Sequence, residues 1–260
     1  QHLDLEMERG KPESMRRVET RLLVKNEAGS YGVTYRWNNE QTDADLVPEE
    51  GAQANFTIRI GEEAKTQAWR FPGQTECAIC HSASSGSALS FNIRQLNRAS
   101  IQPDFPGNQL DLLSDHHFFT QDLPTADKLP RHTSLRDEKA SFEDRARSYL
   151  AVNCAHCHRS GGLSPTAWKM SAELPLSQTG MLNGPVINSA GQMNNRIVAP
   201  GKANESQILN RMTAADGLPR MPLFGTNQTD VEAVRVLTRW IESLPPYKNT
   251  ASATRQHSPE

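Results

Sequence analysis

Along the first seventy residues, apolar and polar positions alternate as they do in strands. The runs VETRLLV (residues 18–24) and YGVTYRW (31–37) are rich in β-branched and aromatic residues, which fit a pleated, half-buried surface. Between them, Asn26, Glu27, Ala28 and Gly29 carry the chemistry of a hairpin turn. FTIRI (56–60) repeats with period two and predicts one further strand. The chain starts abruptly on hydrophilic residues, so a partner strand or domain upstream is expected.

From Trp69 the pattern changes. Trp69 to Gly73 leads into a first cysteine pair, and a run of small residues follows over 82–90. A short helix is predicted around Ile93, Arg94, Gln95 and Leu96. Residues 103–140 hold several Pro and Asp residues with little period, which reads as an ordered connector. Ser141 then caps a predicted helix whose apolar positions are Phe142, Ala146, Tyr149 and Leu150. A last helix starts at Thr229 or Asp230, carries Val234, Leu237, Ile241 and Leu244 on one face, and stops at Pro245 and Pro246. The resulting division is a β-rich part (1–70), a first lobe with connector (71–140), a second lobe (141–246) and a flexible polar tail (247–260).

Composition narrows the function classes. The 260 residues are 36% hydrophobic and 22% charged, enough for one large domain or two small ones. A formal net charge of -2 gives no general pull toward nucleic acid or an anionic membrane. No run nears the roughly 18 apolar residues of a membrane span, so no transmembrane segment is expected. The first residue is Gln1, which implies a processed or trimmed chain.

The cysteines carry the chemistry. There are four, and they fall as Cys77 with Cys80 and Cys154 with Cys157. His81 and His158 follow directly. Two complete C-x-x-C-H motifs thus consume every cysteine, which is the spacing of c-type haem attachment. Two intervening residues in a helical turn place both sulfurs along one porphyrin edge, where two vinyl groups lie, and the adjacent imidazole reaches the iron as proximal ligand. Two C-x-x-C pairs also suit a structural zinc, but the pairs lie more than 70 residues apart and both histidines would go unexplained. A thioredoxin-like dithiol needs a βαβ setting, which neither site has.

A sixth iron ligand is most often Met or His. For the second haem, Met221 lies in a loop ahead of the last helix, and its thioether can reach the distal face. The plainer alternative is core filler. For the first haem there is no methionine between His81 and Met170. His116, His117 and His132 are the nearby histidines, and Met212 or another methionine of the second lobe could reach across. His156, inside the second motif, reads as a surface or packing residue.

At these residues the chain resembles the dihaem cytochrome c modules found alone, or fused behind soluble PQQ-dependent dehydrogenases of the sorbosone and glucose type. The matching stretches are VETRLLV, GVTYRWNNEQTDADLV, WRFPGQTECAICH, RQLNR, RSYLAVNCAHCHRSGG, RIVAPGKANES, RMPLFG and the WIESL helix, in order from Val18 to Leu244. The resemblance implies an α+β fold in which an N-terminal β-rich part precedes mainly α-helical cytochrome c-like haem lobes, the second of class I type. It carries over both C-x-x-C-H sets, two covalently bound haem c groups, Met221, and Met212 as a position that is often methionine. Asp115, His116 and His117 depart from its pattern.

The function expected is electron transfer, not enzymatic turnover. Electrons would come from a periplasmic sugar or alcohol dehydrogenase and go to another cytochrome or an oxidase. The competing expectation is a dihaem peroxidase with one iron position open, and a third is a gas or redox sensor, for which no signalling module is visible. Haem attachment of this kind takes place after export, so a periplasmic or secreted protein is expected.

Overall fold

The computed structural model of the chain describes residues 2–246 apart from 28, 87, 90, 190, 215–218 and 224–227. The expected tail, residues 247–260, lies outside the described residues.

Six strands build the first part. β1 (His2–Glu6), β2 (Met15–Asn26), β3 (Gly29–Trp37) and β4 (Ala44–Leu46) form an antiparallel sheet in that order. β5 (Ala52–Ile60) and β6 (Glu63–Phe71) form a separate hairpin. In β2 and β3, Leu22 pairs with Val33 and Asn26 with Gly29, so the two strands form the hairpin expected around Asn26 and Gly29. The single strand expected after β3 proves to be β5, with β4 before it and β6 after it. Trp69 therefore lies inside β6 and not past the last strand. Val18, Val47 and Phe71 are buried between these elements, with Phe56 and Trp69 packed around them at 6.4 Å in an edge-to-face pair.

The part after the sheets is not mainly α-helical, which corrects the expected cytochrome-like lobes. The described residues are 28% helical and 24% strand, with two antiparallel sheets and short helices. The helices are α1 (Gln74–Cys80), α2 (Ile93–Leu96), α3 (Gln109–Asp115), α4 (Phe142–Asn153), α5 (Gln207–Thr213) and α6 (Val231–Ser243). Pro165, Pro175, Pro185 and Pro200 punctuate the long stretch between α4 and α5, where each removes a backbone donor and interrupts any long helix. Loop residues consequently fill much of the core.

That core is held by α4 packed on α6, with α5 beside them. Ser141 Oγ accepts the Asp144 N–H at 3.0 Å, and Asp230 Oδ1 accepts the Ala233 N–H at 2.9 Å. Each cap satisfies an N-terminal donor that the helix cannot. α6 buries Ala233, Val236, Leu237, Trp240 and Ile241, a face turned from the expected stripe of Val234, Leu237, Ile241 and Leu244. Against it lie Ala146 and Leu150 of α4, Leu209 and Met212 of α5, and the loop residues Trp168, Met170, Met181 and Val198. Full burial of each large side chain here is worth about 1.5–3 kcal/mol. Phe142, expected in the apolar face of α4, is 39% exposed. Arg145 takes the buried position instead, with its Nε donating to the Leu135 carbonyl at 2.7 Å.

Candidate functional site

The first motif is seated on the sheet. Gly73 starts α1 directly after β6, and its N–H donates to Glu76 Oε2 at 2.9 Å. Arg70, at the end of β6, braces the same carboxylate at 2.8 Å. Thr34 of β3 donates to the Pro72 carbonyl at 2.9 Å, so strand and helix start are tied together. Cys77 then lies against Gly32 of β3, where no side chain fits: a Cβ on Gly32 would stand 2.6 Å from the Cys77 Cβ. Cys77 and Cys80 are three apart on α1 and so share a face. His81 caps the helix, its N–H donating to the Cys77 carbonyl at 3.0 Å.

The second motif continues from α4. The Cys154 N–H donates to Leu150, and the Cys157 and His158 N–H groups both return to the Cys154 carbonyl, at 3.2 and 2.9 Å. The tight turn holds both cysteines near one another. His158 is fixed on two sides. Its ring stacks on Trp168 with centroids 3.9 Å apart and planes at 19°, and its Nδ1 lies 3.0 Å from Thr166 Oγ1. A hydrogen bond at Nδ1 is a supporting contact typical of ligating histidines. Burial, with His156 and Arg211 adding to it, pushes the His158 pKa down to about 4. The imidazole is therefore neutral at pH 7 with a lone pair to give.

The two motifs meet. The ligand atoms of Cys80, His156 and Cys157 all lie within 4.8 Å of one another, and the Cys80 and Cys157 thiols hydrogen-bond. His156, expected as a surface or packing residue, is thus half-buried at the junction. Burial lowers its pKa, and the His81 charge lowers it further.

All four cysteines are free of disulfides. Burial, with Cys157 adding to it, pushes the Cys80 thiol up to about 11. Burial and Cys157 push Cys154 up to about 12. Burial likewise raises Cys77 and Cys157. Reactive dithiols depend on lowered thiol pKa values, so this environment opposes the thioredoxin-like reading. The donor set fits a c-type haem: reduced thiols in pairs, each pair followed by an imidazole, with one of those imidazoles neutral and oriented.

The distal candidates fall in different places. Met221 is half-buried, and its N–H donates to the Arg211 carbonyl of α5 at 2.9 Å. The Arg211 charge contributes to lowering the His158 pKa. Met212, 7% exposed, packs in the same core as Cys154 and Trp168. His116 and His117 are exposed at the end of α3. His132 is half-buried, and burial and then Arg94 hold its pKa below the usual imidazole value. It lines a cleft of about 790 Å³ shared by the segment after His81, the end of α4 and His156.

Compared with protein-family models, with curated proteins and with solved structures, the chain finds no match in any of the three.

Proposed function

We propose that the chain is a c-type cytochrome that holds two covalent haems and passes single electrons between redox proteins, acting as a carrier and not as an enzyme. The observation that carries the proposal is the meeting of two complete C-x-x-C-H motifs at Cys80 and Cys157. Motifs far apart in sequence are folded so that their attachment edges adjoin, which is what a two-centre electron relay needs.

Cys77 and Cys80 would hold one haem, and Cys154 and Cys157 the other. Each thiol would add across a vinyl group, sulfur to one carbon and its proton to the next, with no oxidant required. Reduced, protonated cysteines support that chemistry. His81 and His158 would bind the two irons, with Met221 the proposed sixth ligand of the second. A bound haem supplies a one-electron iron couple whose potential follows axial ligand and burial. The chain's own work is orientation: Trp168 and Thr166 lock His158, and Gly32 lets α1 sit down on β3. A sugar or alcohol dehydrogenase is the proposed donor, another cytochrome or an oxidase the acceptor, and the periplasm or the exterior the place.

One observation favours a second reading. Cys80, His156 and Cys157 offer three ligands to a metal ion such as zinc, and their nearness removes the objection from sequence separation. A closed structural zinc site takes four protein ligands, and this one would leave Cys77, Cys154, His81 and His158 without a role. A reductive titration followed by optical spectroscopy, with metal analysis, separates the two. The cytochrome reading predicts two iron atoms per chain and two one-electron steps in the visible haem bands. Zinc with no visible chromophore would overturn it.

A further inference from the structure

We propose that the chain, before any haem is attached, binds one zinc ion at Cys80, His156 and Cys157, and that this ion and the haems exclude one another. The exclusion rests on the haem reading of the two motifs; the metal site itself does not.

The three donors come from both motifs and converge on one point. Their ligand atoms all lie within 4.8 Å of one another, and all three residues are half-buried. With zinc–sulfur bonds of about 2.3 Å and zinc–nitrogen bonds of about 2.1 Å, the donors of a tetrahedral site stand roughly 3.6–3.8 Å apart. Closing this group on an ion therefore takes movements of about 1 Å at most. Two thiolates and an imidazole are donor types that zinc takes. The ion replaces two thiol protons, which pass to solvent, and no electron moves. The two thiolates balance its charge, so the half-buried site is neutral.

The donors are held by backbone on both sides. Cys80 ends α1, and its carbonyl accepts from Ser85 Oγ at 2.7 Å. The start of the same helix is tied to β3 through Thr34. The Cys157 N–H closes a turn on the Cys154 carbonyl at 3.2 Å, and the Cys157 carbonyl accepts the Ser164 N–H at 3.3 Å. Gly162 packs so closely on that carbonyl that a Cβ there would stand 2.2 Å from its oxygen. His156 also lines the cleft of about 790 Å³, which gives an ion an entry path. The charged lining of the cleft is mainly basic, Arg94, Arg159 and Lys169 against Glu173. That field disfavours magnesium and calcium, hard cations that need oxygen donors, and leaves attraction to the two thiolates. Three protein ligands leave the fourth position to water.

One ion takes one cysteine from each motif. Cys77 and Cys154 stand outside the group, so neither motif keeps the two free thiols that covalent haem attachment needs. Zinc thus stalls both attachments at once. Attached haem in turn converts both sulfurs to thioethers and removes the thiolates.

The test uses the full chain prepared without haem beside the holoprotein, with cobalt as the probe. The haem-free chain is expected to take up one equivalent of cobalt with the intense visible bands of a tetrahedral thiolate site, and one equivalent of zinc is expected to displace it. In the haem-free chain, His156→Ala, Cys80→Ser and Cys157→Ser are expected to lose about tenfold or more in affinity, whereas Cys77→Ser and Cys154→Ser keep it. Two equivalents of cobalt, or equal losses in Cys77→Ser and Cys154→Ser, mean that each pair binds its own ion and overturn the proposal. A haem-free chain that binds no cobalt overturns it too. Should His156→Ala fail to fold, His156→Cys decides: added sulfur-to-cobalt charge transfer supports the third ligand, and an unchanged spectrum overturns it. The holoprotein is expected to bind none, and a tetrahedral cobalt spectrum from it overturns the exclusion. Wild-type protein that never carries covalent haem overturns the cytochrome reading, while the cobalt titration still decides the zinc site.

Discussion

Gly32 lies in the middle of β3 against the first cysteine of α1, and replacing it with alanine measures how tightly the first motif is seated. The new Cβ would lie 2.6 Å from the Cys77 Cβ and 2.9 Å from its Sγ, far inside the roughly 3.5–4.0 Å of optimal carbon contact. A Cβ cannot be moved by choosing another rotamer, so α1 or the strand must shift. Overpacking of this kind costs about 1–3 kcal/mol. Removing glycine's freedom in the unfolded chain offsets about 0.5–1 kcal/mol. The net effect is a loss of about 0–2.5 kcal/mol, or a Tm lower by up to about 10 °C at roughly 2–4 °C per kcal/mol for a chain of this size. Thermal melts of the holoprotein by circular dichroism read it directly. Lys25→Ala, on the exposed end of β2, serves as control and is expected within about 0.5 kcal/mol of wild type. A Gly32→Ala protein that melts above wild type would refute the packing of α1 on β3.

Met221→Ala is expected to lower the potential of the second haem, since loss of a thioether favours ferric iron, and to remove the weak red absorption of a sulfur-ligated ferric haem; an unchanged spectrum would place the ligand elsewhere. Glu19 is fully buried, and burial raises its pKa above 4.5 although Arg21 opposes the shift. The favourable linkage of such a group is present below the unfolded pKa and is lost as pH rises through the folded one. Glu19→Gln should therefore gain stability relative to wild type as pH goes from 4 to 7, and a Tm difference that stays flat or falls over that range would count against a buried carboxylate at this position.

Strands β2, β3 and β5 were legible because their chemistry is local, whereas β1, β4 and β6 were not read from the sequence. VETRLLV and GVTYRW alternate, and β2 and β3 lie where the alternation puts them. Ser141 and Asp230 are capping residues by type, and both cap. The apolar face of α6 was harder to read. Trp240 and Val236 take the deepest positions, because the core opposite is built by Trp168, Met170 and Met181 from a loop without period. A helical interior was expected from the resemblance, and the prolines between α4 and α5 make it a loop-built one. The cysteine pairs and their histidines could be named from spacing alone. Their convergence could not, since it depends on how α1 and the end of α4 are brought together by elements far apart in the chain. The role of His156 follows from that convergence. Its only advance signal was its place inside the second motif.

The claim that both motifs hold covalent haem is tested most directly by the intact mass of the purified, acid-denatured protein, isolated from a host with haem-attachment machinery. The account predicts the mass of the chain plus two haems, no haem released by acid–acetone, and no thiol left for an alkylating reagent at Cys77, Cys80, Cys154 or Cys157. A mass equal to the bare chain with four alkylatable cysteines would contradict it.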